Sequence, residues 1–223
     1  MATLEPFFIH HIVILFSLFR FNAYKALYSL LVSAISHLFD LHKEDLDSLK
    51  TEASRFHHSN NKTNELSSME NLDNFMLEMF RLFPPATFVF RRVTQNFVMT
   101  LKTGNYQLHK DDLLCGNIYL SQRDPEIFKN PDTMDMNRFK RQPNLKDYLT
   151  CFGVSYGQES TPDIHKCAGQ KLALTFAKLF ITHFLSVDVE FASKPTWTGK
   201  KIKRFIGTNK PVKVKTFRYT RDK

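Results

Sequence analysis

Between residues 7 and 39 apolar side chains fall on almost every side of a helical projection, so this stretch predicts one or two long helices enclosed by other protein. His10 and His11 interrupt the apolar run, which is shorter than the roughly 20 residues a bilayer crossing needs, and no basic segment precedes it as in a secretory signal. Residues 40–68 turn polar, ending in His57, His58, Ser59, Asn60 and Asn61, which predicts a surface helix followed by a loop. From 71 to 83, Leu72, Phe75, Met76, Met79, Phe80 and Phe83 recur at helical spacing. Pro84-Pro85 ends that helix, because a residue before proline is pushed out of the α region. A Phe-, Val- and Thr-rich stretch follows, then Thr103-Gly104-Asn105 and a short return, which together predict a β-hairpin over 87–109. After a proline-punctuated loop, residues 171–185 are again apolar at helical period, and the last 35 or so alternate Val, Phe and basic residues as strands do.

Composition adds a globular core and a basic edge. Of the 223 residues, 43% are hydrophobic and 22 are Phe, enough for a sizeable interior. The net charge of +9 is concentrated near the C-terminus, where ten lysines and arginines from Lys200 to Lys223 face only Asp222. With no aromatic platform or recognition motif beside it, this charge reads as a solvated edge, compatible with peripheral association at a membrane but not with a nucleic-acid partner. Three cysteines, Cys115, Cys151 and Cys167, without CxxC spacing, exclude a disulfide framework and a structural zinc site, and point to a reducing, intracellular setting.

Two local arrangements carry chemistry. Cys167 precedes the 171–185 helix, with His165 and Lys166 just before it and Gly169 just after. The helix dipole and the upstream cations favour an ionised sulfur there, the form that binds a metal; the plainer alternative is a buried structural cysteine. Glu78 and Arg81, three apart on one helix, share a face, and an arginine fork can hold a carboxylate bidentately. An exposed pair of that kind is worth under ~1 kcal/mol, so the spacing alone assigns no role.

The ordered set of Glu78 and Arg81, Pro84-Pro85, Arg138-Phe139 and Cys167-Ala168-Gly169 resembles the C-terminal half of a cytochrome P-450, over roughly residues 8–190. The resemblance implies a mainly α protein with small β-sheets (α+β), the C-terminal half of that fold. It implies one incomplete haem-binding domain over 1–223, with the haem-crossing helix near 7–39 and the cysteine loop and helix at 152–185. It further implies that Glu78, Arg81 and Arg138 form a buried structural triad, that Cys167 is the axial ligand to the iron of haem b with Gly169 beside it, and that His165, Lys166 and Arg92 lie against the cofactor, where cations would meet its propionates.

Two departures shift the implied chemistry. Phe152 precedes Cys167 by fifteen positions, a longer loop than ordinary monooxygenase members carry, and residues 10–27 contain neither an acid nor a threonine to relay protons to dioxygen. Both departures, and the wording Phe21-Asn22-Ala23, are similar to the branch of allene oxide synthase, hydroperoxide lyase and epoxyalcohol synthase. That likeness implies a fatty acid hydroperoxide substrate, no reductase, and a role for the Asn22 amide over the iron. The alternatives are a monooxygenase that needs a reductase and a non-catalytic truncated remnant.

Overall fold

The computed structural model describes residues 24–159, 161, 166–191 and 214–219. Helices α1 (Lys25–Leu38), α2 (Lys43–His58), α4 (Glu70–Leu82) and α7 (Gln170–Leu185) form the main layer, with a short α3 (Lys62–Ser67) between α2 and α4. Their apolar stripes meet around Leu30, Leu49, Phe75, Met76, Met79, Phe80, Ala177 and Ile181, all at most 2% exposed. The architecture is mainly α with small antiparallel sheets.

α1 is the described part of the long apolar segment at 7–39; residues 7–23, and with them Asn22, lie outside the described residues. Buried Ser33 and Ser36 return their hydroxyl protons to the carbonyls of Ser29 and Val32 at 2.8 and 2.9 Å, which lets small polar residues sit in an apolar contact. Among the described residues no helix is long and apolar enough to cross a membrane.

α4 is the pivot of the layer, with ten of its thirteen residues buried. Its N-cap, Met69, has no side-chain oxygen to satisfy the first backbone donors. Glu52 of α2 does this instead: its carboxylate, 4% exposed, accepts from the Asn71 amide N–H, the Asn71 side chain and the Leu72 amide N–H, each at 2.9 Å. A negative group at the positive end of α4 fixes the angle between the two helices. Lys178 of α7 adds a second tie, donating to the Leu66 carbonyl at 2.6 Å and pairing with Asp73 at 2.8 Å.

The hairpin expected over 87–109 is instead two nested pairs. β2 (Phe97–Leu101) and β3 (Gly104–Leu108) form the tight hairpin, while β1 (Phe88–Arg92) pairs with β4 (Leu113–Asn117), from Phe88 opposite Asn117 to Arg92 opposite Leu113. The β1–β4 pairing runs one step further, with the Val93 amide donating to Asp112 O and its carbonyl accepting from the Asp111 amide, and Asn96 Oδ1 accepts from the Lys110 amide at 2.7 Å where the inner hairpin departs. Gly116 permits the close approach of β4 to β1, since a Cβ there would lie 2.9 Å from Val89 Cγ1. At the C-terminal end, β5 (Val187–Phe191) pairs antiparallel with β6 (Val214–Tyr219). Between β4 and α7 lie the short helices α5 (Ile118–Ser121) and α6 (Arg138–Arg141) and a 3-10 turn, Pro143–Tyr148.

Candidate functional site

The last turns of α4 hold a buried charge cluster. Glu78 is fully buried and takes a bidentate fork from Arg81, Nε to Oε2 and Nη2 to Oε1, both at 2.7 Å. Arg138, at the start of α6, places Nε 3.1 Å from the same Oε1, and the Asp135 amide donates to it at 3.2 Å. The remaining guanidinium protons go to backbone carbonyls: Arg81 to Gln122 and Pro131 at 2.9 and 2.5 Å, Arg138 to Lys129 and Asn130 at 2.6 and 3.2 Å, and both to Thr133. Buried charges are tolerated when each lone pair and proton is used in this way. The cluster therefore clamps the irregular 129–135 segment onto α4.

From this clamp, structure runs to the cysteine loop through Gln122. Its amide nitrogen donates to the carbonyls of Phe80 and Arg81 at 3.0 Å, while its amide oxygen accepts from the Thr150 backbone at 3.1 Å. Phe152 then packs on Phe80 at 4.9 Å between ring centroids, and Gly153 takes a positive φ of 91°, which a side chain would strain. The long excursion closes where the Cys167 amide donates to the Phe152 carbonyl at 2.8 Å. One turn later the Gln170 amide donates to Cys167 O at 3.2 Å as α7 begins.

The three thiols differ in access. Cys115 and Cys167 are exposed, whereas Cys151 packs against the helical core. Burial pushes the Cys151 thiol far above its ordinary range, and nearby Cys167 adds to the effect. Gly169 keeps one side of the Cys167 sulfur open, since a methyl at that position would already touch Sγ at 3.8 Å. Farther along α7, Leu172, Phe176 and Phe180 form an exposed apolar stripe at four-residue spacing.

The basic residues separate by strand alternation. Arg92 turns to Asp111, donating to its carbonyl at 3.3 Å with the carboxylate 3.9 Å away, both side chains about two-thirds exposed. Its neighbour Arg91 reaches the cysteine loop, donating from Nη2 to Gly153 O at 3.2 Å. Lys166 lies 3.5 Å from Glu159, and Gly169 is the N-cap of α7. His165 and Asn22 lie outside the described residues. Sequence reasoning did not single out Gln122 or Glu52; neither sits in a motif, and only the packing gives them partners.

The pattern of the cytochrome P450 family matches residues 11–215. The chain belongs to the cytochrome P450 family. Among curated relatives of this P450 chain, a sterol 14alpha-demethylase of Mycolicibacterium vanbaalenii is 27% identical over 161 residues, covering 70% of the chain and 33% of the relative. A chloroplastic fatty acid hydroperoxide lyase of Solanum lycopersicum is 28% identical over 141 residues, covering 61% and 29%. A 9-divinyl ether synthase of Capsicum annuum is 26% identical over 153 residues, covering 68% and 30%. The match thus spans about a third of each relative's length.

The family's cofactor is haem b, held through a cysteine thiolate. The residues present fit such a group: a solvent-accessible thiol at the head of a sixteen-residue helix, a glycine leaving space beside the sulfur, and an arginine anchored to the same loop.

Proposed function

We propose that the Cys167 thiolate is the axial ligand of haem b and that the enzyme to which this chain belongs rearranges fatty acid hydroperoxides to oxylipins without a reductase. The observation that carries the ligand assignment is the closure of the loop on Phe152 O, which presents Cys167 at the start of α7 while the half-buried Cys151 packs against the helical core. A thiolate-ligated haem supplies cleavage of the peroxide O–O bond and control of the resulting radical's fate.

The protein's own part in this chemistry follows from position. Cys167 stands exposed just before the N-terminus of α7, open to a haem iron. Arg91, set at the cysteine loop, offers guanidinium protons to a propionate, and Arg92, now donating to the Asp111 carbonyl at an exposed position, is assigned the same role on the family resemblance. Lys166 adds positive charge next to Cys167 in the chain, and His165 is assigned a place by the cofactor on the family resemblance alone. The Glu78, Arg81 and Arg138 clamp, continued through Gln122 to Thr150, holds the base of the loop. Asn22 is assigned the task of holding the hydroperoxide oxygen by its amide, on the likeness of Phe21-Asn22-Ala23 to the hydroperoxide-using branch.

Two features support the peroxide branch: relatives named fatty acid hydroperoxide lyase and 9-divinyl ether synthase, and the lack of an acid or threonine in residues 10–27. The match to a sterol 14alpha-demethylase favours the monooxygenase reading as the second. Haem-loaded protein given a fatty acid hydroperoxide and no reductase separates them. Consumption of the hydroperoxide supports the proposal; inertness, with oxygenation appearing once a reductase is added, favours the monooxygenase, and failure to take up haem favours a remnant.

A further inference from the structure

Among the described residues two side-chain polar atoms are buried without a hydrogen-bond partner, His57 Nε2 and Glu65 Oε1. Glu65 Oε1 lies 3.2 Å from Arg55 Nε and is accounted for as an ion pair. His57 has no such explanation. Its ring, at the end of α2, faces the ring of His183 in the last turn of α7, with centroids 5.0 Å apart and planes tilted by 58°. Phe56 stands edge-on to both rings, at 5.6 and 6.0 Å, and holds their relative position.

We infer that His57 and His183 form a two-imidazole clamp for a transition-metal dication of the Ni2+ or Cu2+ type, with water completing its coordination. Imidazole suits these ions; the two rings lie 5.0 Å apart between centroids, and His57 Nε2 has no hydrogen-bond partner. Both histidines sit at helix C-termini, where the dipoles favour positive charge, and the structure already uses that preference: Lys62 Nζ donates to the Phe56 and His57 carbonyls at 2.5 and 2.6 Å. The Lys62 charge opposes a second cation, so the clamp needs an ion bound by coordination rather than by charge alone, which excludes Ca2+ and Mg2+. Among the described residues no cluster of three His, Cys, Asp or Glu side chains forms, hence the solvent ligands and a reversible site. His183 is exposed and gives the entry path, at the opposite end of α7 from Cys167.

The test is Ni2+ titration of the full chain without a polyhistidine tag, read by thermal melting and by the absorption bands of the bound ion. The clamp joins two helices distant in sequence and binds only the folded state, so Ni2+ raises the melting temperature of the wild type. The rise is lost in His183→Gln and in His57→Gln and kept in His58→Gln, whose Nδ1 is engaged with the Ser54 carbonyl at 2.8 Å. If His57→Gln does not fold, His183→Gln, at an exposed position, decides alone. No rise in the wild type, an equal rise in His183→Gln, or thiolate-to-metal absorption indicating binding at Cys115 or Cys167 overturns the inference.

Discussion

Arg138 reaches back sixty residues to set Nε 3.1 Å from Glu78 Oε1, the oxygen that Arg81 Nη2 already holds at 2.7 Å. One buried carboxylate thus balances two guanidinium groups, and the surplus positive charge is absorbed by the carbonyls of Gln122, Lys129, Asn130, Pro131 and Thr133.

Removing the carboxylate strands both arginines in the core. Glu78→Gln is expected to cost on the order of 3–5 kcal/mol, the cost typical of breaking a buried pair from one side. Arg141→Ala, which loses a pair between an exposed arginine and a half-buried Asp135, is expected to cost about 1 kcal/mol. Urea unfolding of the two variants checks the contrast; similar losses would mean that the cluster is not a clamp.

Glu52 predicts a second, independent loss. With Glu52→Gln one acceptor oxygen becomes a donor facing the N–H groups of Asn71 and Leu72, at a cost of roughly 1–3 kcal/mol. Hydrogen exchange at the first turn of α4 should rise in this variant before exchange elsewhere in the helix does.

Thiol labelling separates the three cysteines. At mildly alkaline pH an alkylating reagent is expected to modify Cys115 and Cys167 quickly and Cys151 slowly, because burial raises the Cys151 thiol and keeps it protonated. Haem loading should protect Cys167 and leave Cys115 reactive, as peptide mapping by mass spectrometry would show.

Acid should weaken the helical layer through His37. Burial lowers its pKa below the ordinary 6.5, against the opposing influence of the Ser33 carbonyl and Asp40, and its ring packs on Phe83 at 4.5 Å. A folded pKa below the unfolded one means that the stabilisation of the neutral ring is complete above 6.5 and is lost as pH falls from there towards the folded value. Urea midpoints over that range should fall less in His37→Phe than in the wild type; identical slopes would assign the acid sensitivity elsewhere.

The sequence made the α4 helix legible because its apolar positions keep one period and a proline pair stops it, and the same period put Glu78 and Arg81 on one face. Arg138 entered only through resemblance, since nothing local shows that a residue sixty positions away will share a carboxylate. The hairpin turn at Thr103-Gly104-Asn105 is legible and joins β2 to β3, whereas the partner of β1 is not, because β-forming composition carries no register: it lies beyond the whole β2–β3 turn, at 113–117. Faces within strands and loops were equally hidden. Arg91 and Arg92 are alike in sequence, yet pleating sends one to Gly153 and the other to Asp111, and the same local chain packs Cys151 against the helical core while exposing Cys167.

The central claim is that Cys167 supplies the thiolate to haem. It is tested most directly by the carbon monoxide spectrum of the reduced, haem-loaded protein in three single variants, Cys115→Ser, Cys151→Ser and Cys167→Ser. The account predicts that only Cys167→Ser loses the thiolate-type spectrum. Its persistence in Cys167→Ser, or equal loss from all three, would contradict it.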